Sequence, residues 1–368
     1  MMRILRQLSL LLAVLLIVVP CALAEDLPLT ISDTEFWRMV TDFSESGGTF
    51  PQQYMSNEDS AQFIIPALKQ TARQGGVYIG VGLEQNFTYI AALQPKIAFV
   101  IDIRRDNMIE HLVYKALFEL STDRADFISR LFSRKRPPGL SANSGIKVIF
   151  DAYQSLDADP MLYEANQGAV INQLVGVHKF PLTETDRLAV SRILNAFRVS
   201  SPATLRGQGD NTNPTYSQLM TATDLTGRNQ GYLGTEETFK ALQDFERQNR
   251  LIPLVGDFAG DKAIVSVGRY LKERSAVADV FYLSNVERYL FEQGDNAKRF
   301  YNNVAALPLG PTSTFIRSVT SDISVRLGIP IPEGTTKWRS FLSPISENLK
   351  AFEGGNMKAY TDIFKFDR

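Results

Sequence analysis

Cysteine is nearly absent from this chain, and histidine is scarce. Cys21 is the single cysteine among 368 residues, and the histidines are His111 and His178. Without Cys21, which lies in a segment expected to be removed, the mature chain can form no disulfide and no thiolate metal site or nucleophile. Two histidines leave little room for a histidine-based metal site or triad. The Gly-x-Ser-x-Gly, His-Glu-x-x-His and Walker patterns are also missing, so no catalytic residue is predicted, although Asp/Glu chemistry stays open.

The N-terminus has the pattern of a secretory signal peptide. Arg3 and Arg6 precede an apolar run over residues 8–19, and small residues at 22–24 predict cleavage before Glu25. The run is too short to be a good membrane span, since a span needs roughly 20 apolar residues. We therefore expect an exported protein, periplasmic or secreted, with no stable membrane span after cleavage. Retention of the signal as an anchor is the alternative.

The charges are balanced. The sequence has 39 basic and 40 acidic residues, and loss of Arg3 and Arg6 leaves a mature chain with a net charge of −3. This balance argues against a nucleic-acid partner or an anionic membrane surface. With 44% hydrophobic residues the chain can bury a large core. A small-molecule ligand is the expected partner, and protein partners stay open.

One segment predicts a unit of a nucleotide-binding sheet. An apolar run at 77–79 leads into the turn Gly80-Val81-Gly82, a helical stretch follows to Leu93, and a second apolar run at 97–101 ends on Asp102. Glycine allows a close backbone approach to a ligand, and an acid about 20 residues further on can accept both hydroxyls of a ribose.

Helices and strands alternate again after residue 236. Strands are predicted at 251–255, 280–283 and 304–307, each preceded by a helix. This alternation predicts an α/β fold with a mainly parallel sheet covered on both faces. Ligands of such sheets bind beyond the carboxyl ends of the strands. The candidate residues at those ends are Gly80, Gly82, Asp102, Asp257 and Asn285.

The remaining regions are predicted from periodicity and composition. We expect a signal peptide at 1–24, a helical segment at 25–75, the first part of the core at 76–136, a mostly helical insertion at 137–234 and the rest of the core at 235–368. Ile146–Phe150 is predicted as a strand within the insertion. Residues 50–57 are either an entry loop packed on the core or a lid over the pocket. Asn107 and Glu110 suggest a capping box, and Ser313 and Thr314 a helix cap.

Two other features leave alternatives open. His111 lies one turn into the helix after Asp102, near the expected ribose site, but a structural or surface histidine is favoured. Asp257 and Asp261 flank Gly260 in a short loop, and this loop is either a cation site or, as we favour, a strand-end turn.

These motifs resemble those of class I S-adenosylmethionine-dependent methyltransferases. The resemblance implies a three-layer Rossmann-like core in which Gly80 and Gly82 lie against the methionine part of S-adenosylmethionine, Asp102 holds the ribose and Asp257, followed by Phe258, lies near the adenine. Longer stretches, at 76–89, 281–287 and 313–317, look like a group of exported bacterial proteins of unknown function with this core. The likeness covers roughly residues 76–120 and 236–325.

The chain also departs from the methyltransferase pattern. Glu84, Gln85 and Asn86 stand where a third glycine is usual, and they either contact a ligand or fill its place. The loop after the fourth strand, at 283–286, does not indicate a methyl acceptor. S-adenosylmethionine is made in the cytoplasm, so an exported methyltransferase lacks an obvious donor. The leading hypothesis is a protein that binds S-adenosylmethionine, and the rival is an exported non-catalytic binding or interaction protein that keeps the fold.

Overall fold

Six strands form one sheet in the computed structural model, which describes residues 26–209, 211–335 and 337–366. The predicted signal peptide lies outside the described residues. The strands are β1 (Val77–Gly80), β2 (Ile97–Asp102), β3 (Leu251–Val255), β4 (Ala278–Ser284), β5 (Leu309–Thr320) and β6 (Trp338–Pro344).

Helices flank the strands and fill the long stretch between β2 and β3. The α-helices are α1 (Asp33–Phe43), α2 (Ile65–Thr71), α3 (Gln85–Leu93), α4 (Arg105–Leu120), α5 (Arg124–Phe132), α6 (Ile146–Tyr153), α7 (Pro160–Ile171), α8 (Glu184–Val199), α9 (Tyr216–Thr221), α10 (Glu236–Arg247), α11 (Ala263–Glu273), α12 (Val286–Phe291), α13 (Asn296–Ala305), α14 (Ser321–Arg326) and α15 (Ile345–Glu353). A π-helical turn (Asn172–Val177) extends α7, and a 3-10 helix (Tyr360–Phe366) lies near the C-terminus.

The strand order is β3-β2-β1-β4-β5-β6. Strands β1 to β5 are parallel, and β6 runs antiparallel to β5 at one edge. The order changes direction between β1 and β4, which is where open α/β sheets form a crevice at the carboxyl ends of their strands. The predicted α/β class with a mostly parallel sheet is confirmed.

Helix α4 is buried on nearly all sides. Its apolar stripe faces the core, and on the other side Phe118 stacks on Phe127 of α5 with ring centroids 4.7 Å apart. Phe87 of α3 and Tyr232 also contact Phe118 edge-on. The cover on this side consists of α3, α5, α8 and α10.

Four local predictions were wrong, two about strands and two about helix caps. Ile146–Phe150 is helical, because Ile149, Phe150 and Tyr153 are buried with helical spacing in α6. Residues 304–307 are not a strand but the end of α13 and the turn after it. A short apolar run fits either structure, so periodicity alone did not distinguish them.

Ser313 and Thr314 do not cap a helix. They lie within β5, where the Ser313 hydroxyl accepts from the Gly310 N–H at 2.8 Å and donates to the Ala278 carbonyl at 2.7 Å. Helix α4 begins at Arg105, two residues before the predicted capping box, and no side chain caps it.

Candidate functional site at the carboxyl edge of the sheet

The register places the predicted glycine turn and acid side by side. Gly80 pairs with Val100 in the parallel ladder between β1 and β2, so Gly82 and Asp102 each come two residues after this pair. Asp257 follows the end of β3, and Asn285 follows the end of β4. The predicted residues therefore share the carboxyl edge of the sheet.

The two glycines of the turn have different roles. A Cβ atom on Gly80 would overlap the Asn86 side-chain oxygen and approach the Tyr78 ring within 2.8 Å. Gly82 has a φ of +77°, and no atom lies within 4 Å of the position of its missing Cβ. Gly80 is thus required by internal packing, whereas Gly82 provides a left-handed turn with open space beside it.

Asn86 stabilises the turn from within. Its amide nitrogen donates to the carbonyls of Val81 and Leu83 at 2.9 and 2.7 Å, and its oxygen accepts from the Tyr78 hydroxyl at 2.9 Å. Gln85 is buried as well. Asn86 therefore fills the place of the third glycine with a bonded side chain.

Glu84 is fully buried at the start of α3. Both of its carboxylate oxygens lie 3.0 Å from the Ser56 N–H, which donates to them. Burial raises the pKa of Glu84 to about 7, against the opposing effect of this hydrogen bond. Its carboxyl group is therefore engaged by the chain's own backbone.

Asp102 is paired with Arg104. Its Oδ1 accepts from the Arg104 backbone N–H at 2.8 Å and from Nε at 3.2 Å, and its Oδ2 accepts from the guanidinium at 3.4 Å. Both side chains are buried. These bonds occupy both lone pairs of Oδ1, whereas Oδ2 keeps a lone pair that can accept a further hydrogen bond.

The candidates after β3 and β4 differ in burial. Asp257 is half-buried, and its Oδ1 accepts from the Ala259 N–H at 2.9 Å. Phe258 is in the core, stacked on Phe300 at 5.7 Å. Asn285 is half-buried and precedes α12 without capping it.

Residues 44–60 cross the whole carboxyl edge of the sheet, and we call them the edge segment. They include residues 50–57, the stretch predicted as either an entry loop or a lid. Over β3, the Ser44 hydroxyl accepts from the Val255 N–H at 2.9 Å, and the Glu45 N–H donates to the Val255 carbonyl at 3.0 Å. Over β2, the Gly48 N–H donates to the Ile103 carbonyl at 2.8 Å. The start of the segment is therefore bonded to the strand ends.

The second half of the edge segment bonds to β4 and β5. Glu58 is buried and accepts from the hydroxyls of Ser284 and Ser318, the latter at 2.5 Å. Burial raises the pKa of Glu58, and the serine hydrogen bonds oppose this shift. The carboxyl group thus joins two strand ends to the segment.

Beyond Glu58 the edge segment bonds to β6. Asp59 accepts from the backbone N–H groups of Lys337 and Trp338 at 2.9 and 2.8 Å. The Ser60 hydroxyl accepts from the Ser340 N–H at 2.9 Å. By contrast, residues 46–52 are exposed, although within them Gly48 is bonded to the Ile103 carbonyl.

The first two turns of α4 bring three more polar side chains to this edge. Asn107, Glu110 and His111 are at most 2% exposed. His111 Nε2 lies 2.8 Å from the Gly82 carbonyl oxygen, which can only accept, so Nε2 carries the proton. Burial lowers the pKa of His111 to about 4, and the ring is therefore neutral at physiological pH.

The comparison with protein families identifies the chain's family. Residues 54–363 match the model described as a domain of unknown function (DUF7790). The chain belongs to this family. A comparison with curated proteins gives no match.

The DUF7790 match starts within the edge segment and ends in the last helix. It therefore includes the glycine turn, the start of α4, the helices between β2 and β3, and β6. Within the described part of the chain, no helix is long and apolar enough to cross a membrane. In the same residues no group of three or more His, Cys, Asp or Glu side chains is arranged to hold a metal ion.

The loop at Asp257 is a strand-end turn that leads into α11. Asp261 forms an ion pair with Arg299 at 2.8 Å, and the Asp257 carbonyl accepts from the Gly260 N–H. Glu45 of the edge segment accepts from the Asp257 N–H at 3.1 Å. These contacts join the loop to α13 and to the edge segment.

Proposed function

We propose that the carboxyl edge of the sheet binds an adenosine-type ligand, with S-adenosylmethionine as the first candidate. The observation that carries this proposal is the position of Gly82 and Asp102, in register on adjacent strands at the edge where the strand order reverses. A left-handed glycine with open space beside it and an acid on the next strand are what a nucleoside-binding edge requires.

The strand order supports a Rossmann-like, methyltransferase-like core as part of this proposal. The order 3-2-1-4-5 is that of doubly wound nucleotide-binding sheets, here ending in an antiparallel strand. In this arrangement Gly82 faces the methionine part of the ligand, Asp102 accepts the ribose hydroxyls and Asp257 lies near the adenine amine. Asn285, which follows β4, is available to contact the ligand. Gly80, Glu84, Asn86 and Phe258 support the site through packing.

Entry to this site requires movement of the edge segment. Residues 46–52 are its exposed part, and the ligand enters beneath them when the hydrogen bond between Gly48 and Ile103 opens. A closed site also favours methyl transfer, because the nucleophile must be aligned with the sulfonium and kept from water. The methyl acceptor is not specified by this geometry.

A second function is favoured by the contacts of Asp102 and the edge segment. Arg104 donates to both oxygens of Asp102, and the edge segment is bonded to β2, β3, β4 and β6. If these contacts are permanent, the protein keeps the fold without the cofactor and acts as an exported binding or interaction protein.

Calorimetric titration of residues 25–368 with S-adenosylhomocysteine tests the two functions. Asp102→Asn keeps the shape of the side chain and removes its charge, and Asp261→Asn changes an exposed carboxylate as the matched control. Micromolar binding that is lost in Asp102→Asn and kept in Asp261→Asn supports the cofactor site. No heat from protein that circular dichroism shows to be folded contradicts it and leaves the second function.

A further inference from the structure

Three polar side chains on one side of α4 are buried, and each has at least one polar atom without a hydrogen-bond partner among the described residues. Asn107, Glu110 and His111 are spaced by three and four residues and therefore project on the same side of the helix. They are 1%, 1% and 2% exposed. Such burial normally requires hydrogen bonds, because a buried polar group without a partner has lost its bonds to water and gained none in return.

The unpartnered atoms form a specific set. Among the residues described, no partner is found for either carboxylate oxygen of Glu110, for His111 Nδ1 or for the Asn107 amide nitrogen. Since His111 Nε2 carries the ring proton, Nδ1 is an acceptor. Once Glu110 is ionised, the set has three acceptors and one amide donor, next to the open space beside Gly82.

The charges around Glu110 favour a cation. Glu84, Asp102 and Asp106 lie close enough to raise its pKa, in addition to the larger effect of burial. Arg104 has the opposite effect, but its guanidinium already pairs with Asp102. A positively charged donor group placed here would stabilise the ionised form of Glu110.

We propose that Asn107, Glu110 and His111 bind the α-amino acid end of a ligand. A primary ammonium has three N–H donors, which match the two Glu110 oxygens and His111 Nδ1. The Asn107 amide donates to the carboxylate of the same amino acid. The inference rests on the proposed function, because the His111–Gly82 hydrogen bond places this set beside the turn that faces the methionine part of S-adenosylmethionine.

Ligands with and without the amino acid group test this assignment. S-adenosylhomocysteine has both the adenosine and the amino acid, 5′-methylthioadenosine has only the adenosine part, and methionine has only the amino acid part. Each is titrated into the wild-type protein, into Glu110→Gln and into the control Glu246→Gln, which changes another buried carboxyl group, close to the start of β3.

We expect the wild type to bind S-adenosylhomocysteine at least about tenfold more tightly than methylthioadenosine, the usual effect of a charge-assisted hydrogen bond. Glu110→Gln should remove this difference and leave methylthioadenosine binding unchanged, and Glu246→Gln should bind as the wild type does. Asn107→Leu, of similar size, should weaken S-adenosylhomocysteine binding as well, which provides a second variant if Glu110→Gln does not fold.

Proton release provides a second measurement. Binding of an ammonium ionises Glu110, so the heat of S-adenosylhomocysteine binding at pH 7 should depend on the ionisation enthalpy of the buffer in the wild type. This dependence should be absent in Glu110→Gln.

The failures of the two proposals differ. Equal affinity for S-adenosylhomocysteine and methylthioadenosine, unchanged in Glu110→Gln, overturns the amino acid site, assigns these atoms to bound water and leaves the proposed function intact. If neither adenosine ligand binds, the proposed function fails, and the titration with methionine then tests the amino acid site. Methionine binding that is lost in Glu110→Gln supports the site. The absence of methionine binding overturns it.

Discussion

Arg104 lies two residues after Asp102 and donates to both of its carboxylate oxygens, with Nε 3.2 Å from Oδ1 and Nη2 3.4 Å from Oδ2. The pair is buried at the junction of β2 and α4. It joins the predicted ligand-binding acid to the backbone turn that starts the next helix. Arg104 therefore influences both the stability of the edge and the charge that a ligand meets there.

Arg104→Met should destabilise the protein by about 3–5 kcal/mol, because it leaves Asp102 buried without its charged partner. Methionine keeps the apolar stem of the side chain, so lost packing contributes little. The double variant with Asp102→Asn should cost less than the sum of the two single variants. Urea denaturation of all four proteins measures this coupling. Strict additivity of the two changes would show that the ion pair contributes nothing to stability.

Deprotonation of Glu84 should lower the stability of the folded protein as the pH rises from 4.5 to 7. Its folded-state pKa of about 7 exceeds the ordinary value of 4.5, so the folded state holds the proton more tightly. This contribution is complete below pH 4.5 and is lost as the pH rises through about 7, a change of about 3 kcal/mol. Chemical denaturation between pH 4 and 8 measures it.

Glu84→Gln removes this titration and keeps the acceptor for the Ser56 N–H. The variant should match the wild type at pH 4 and exceed its stability at pH 8. Glu237→Gln on the exposed face of α10 is the control and should follow the wild type throughout. Parallel stability curves for wild type and Glu84→Gln would contradict the assigned burial of the carboxyl group.

His178 should titrate above its ordinary pKa and stabilise the fold only when protonated. Its Nδ1 lies 2.8 Å from Asp33 and its Nε2 lies 2.7 Å from Glu119. Burial lowers the pKa of His178, but the bonds to these carboxylates more than offset this, and the net shift is upward. Because the folded pKa is raised, the stabilisation is present below the unfolded pKa and is lost as the pH rises through the folded one.

Proton NMR of the two histidines measures this difference directly. One ring should titrate above pH 6.5, and the other, His111, should remain neutral down to a pH of about 4. His178→Gln should remove the resonance that titrates at the higher pH and reduce the loss of stability on the alkaline side. If both histidines titrate near pH 6.5, the result would contradict the carboxylate contacts of His178 and the burial of His111.

The sequence predicted the central part of the fold because local signals there agree. The strand from Val77, the glycine turn, α3 and the strand ending at Asp102 are all present, since apolar runs and a turn glycine are local features. Helix α8 likewise begins at a local signal, the capping box of Thr183 and Asp186. Short apolar runs such as 146–150 and 304–307 were predicted less well, because their structure depends on packing with distant residues.

The candidate site was predicted only in part. Gly82 and Asp102 lie together as expected, because parallel strands bring their carboxyl ends to one edge. Residues 50–57 of the edge segment were predicted as an entry loop or a lid, but the hydrogen bonds that join the segment to the strand ends were missed. The Arg104 contact and the polar side of α4 were missed as well, since they depend on side-chain direction. The polar residues at the start of α4 were the signal in the sequence that could have indicated its polar side. Asn107 and Glu110 were interpreted as a helix cap instead.

Strand β3 pairs with β2 although residues 103–250 separate them. During synthesis β2 is completed long before its partner, so its outer edge offers unpaired N–H and C=O groups on a wholly apolar strand, Ile97–Ile101. An unpaired strand of this kind is prone to association with other chains, and pairing over such a long separation is slow. The nascent protein is therefore most exposed to misassembly in the interval before residues 251–255 arrive, and a chaperone that covers β2 would act in that interval.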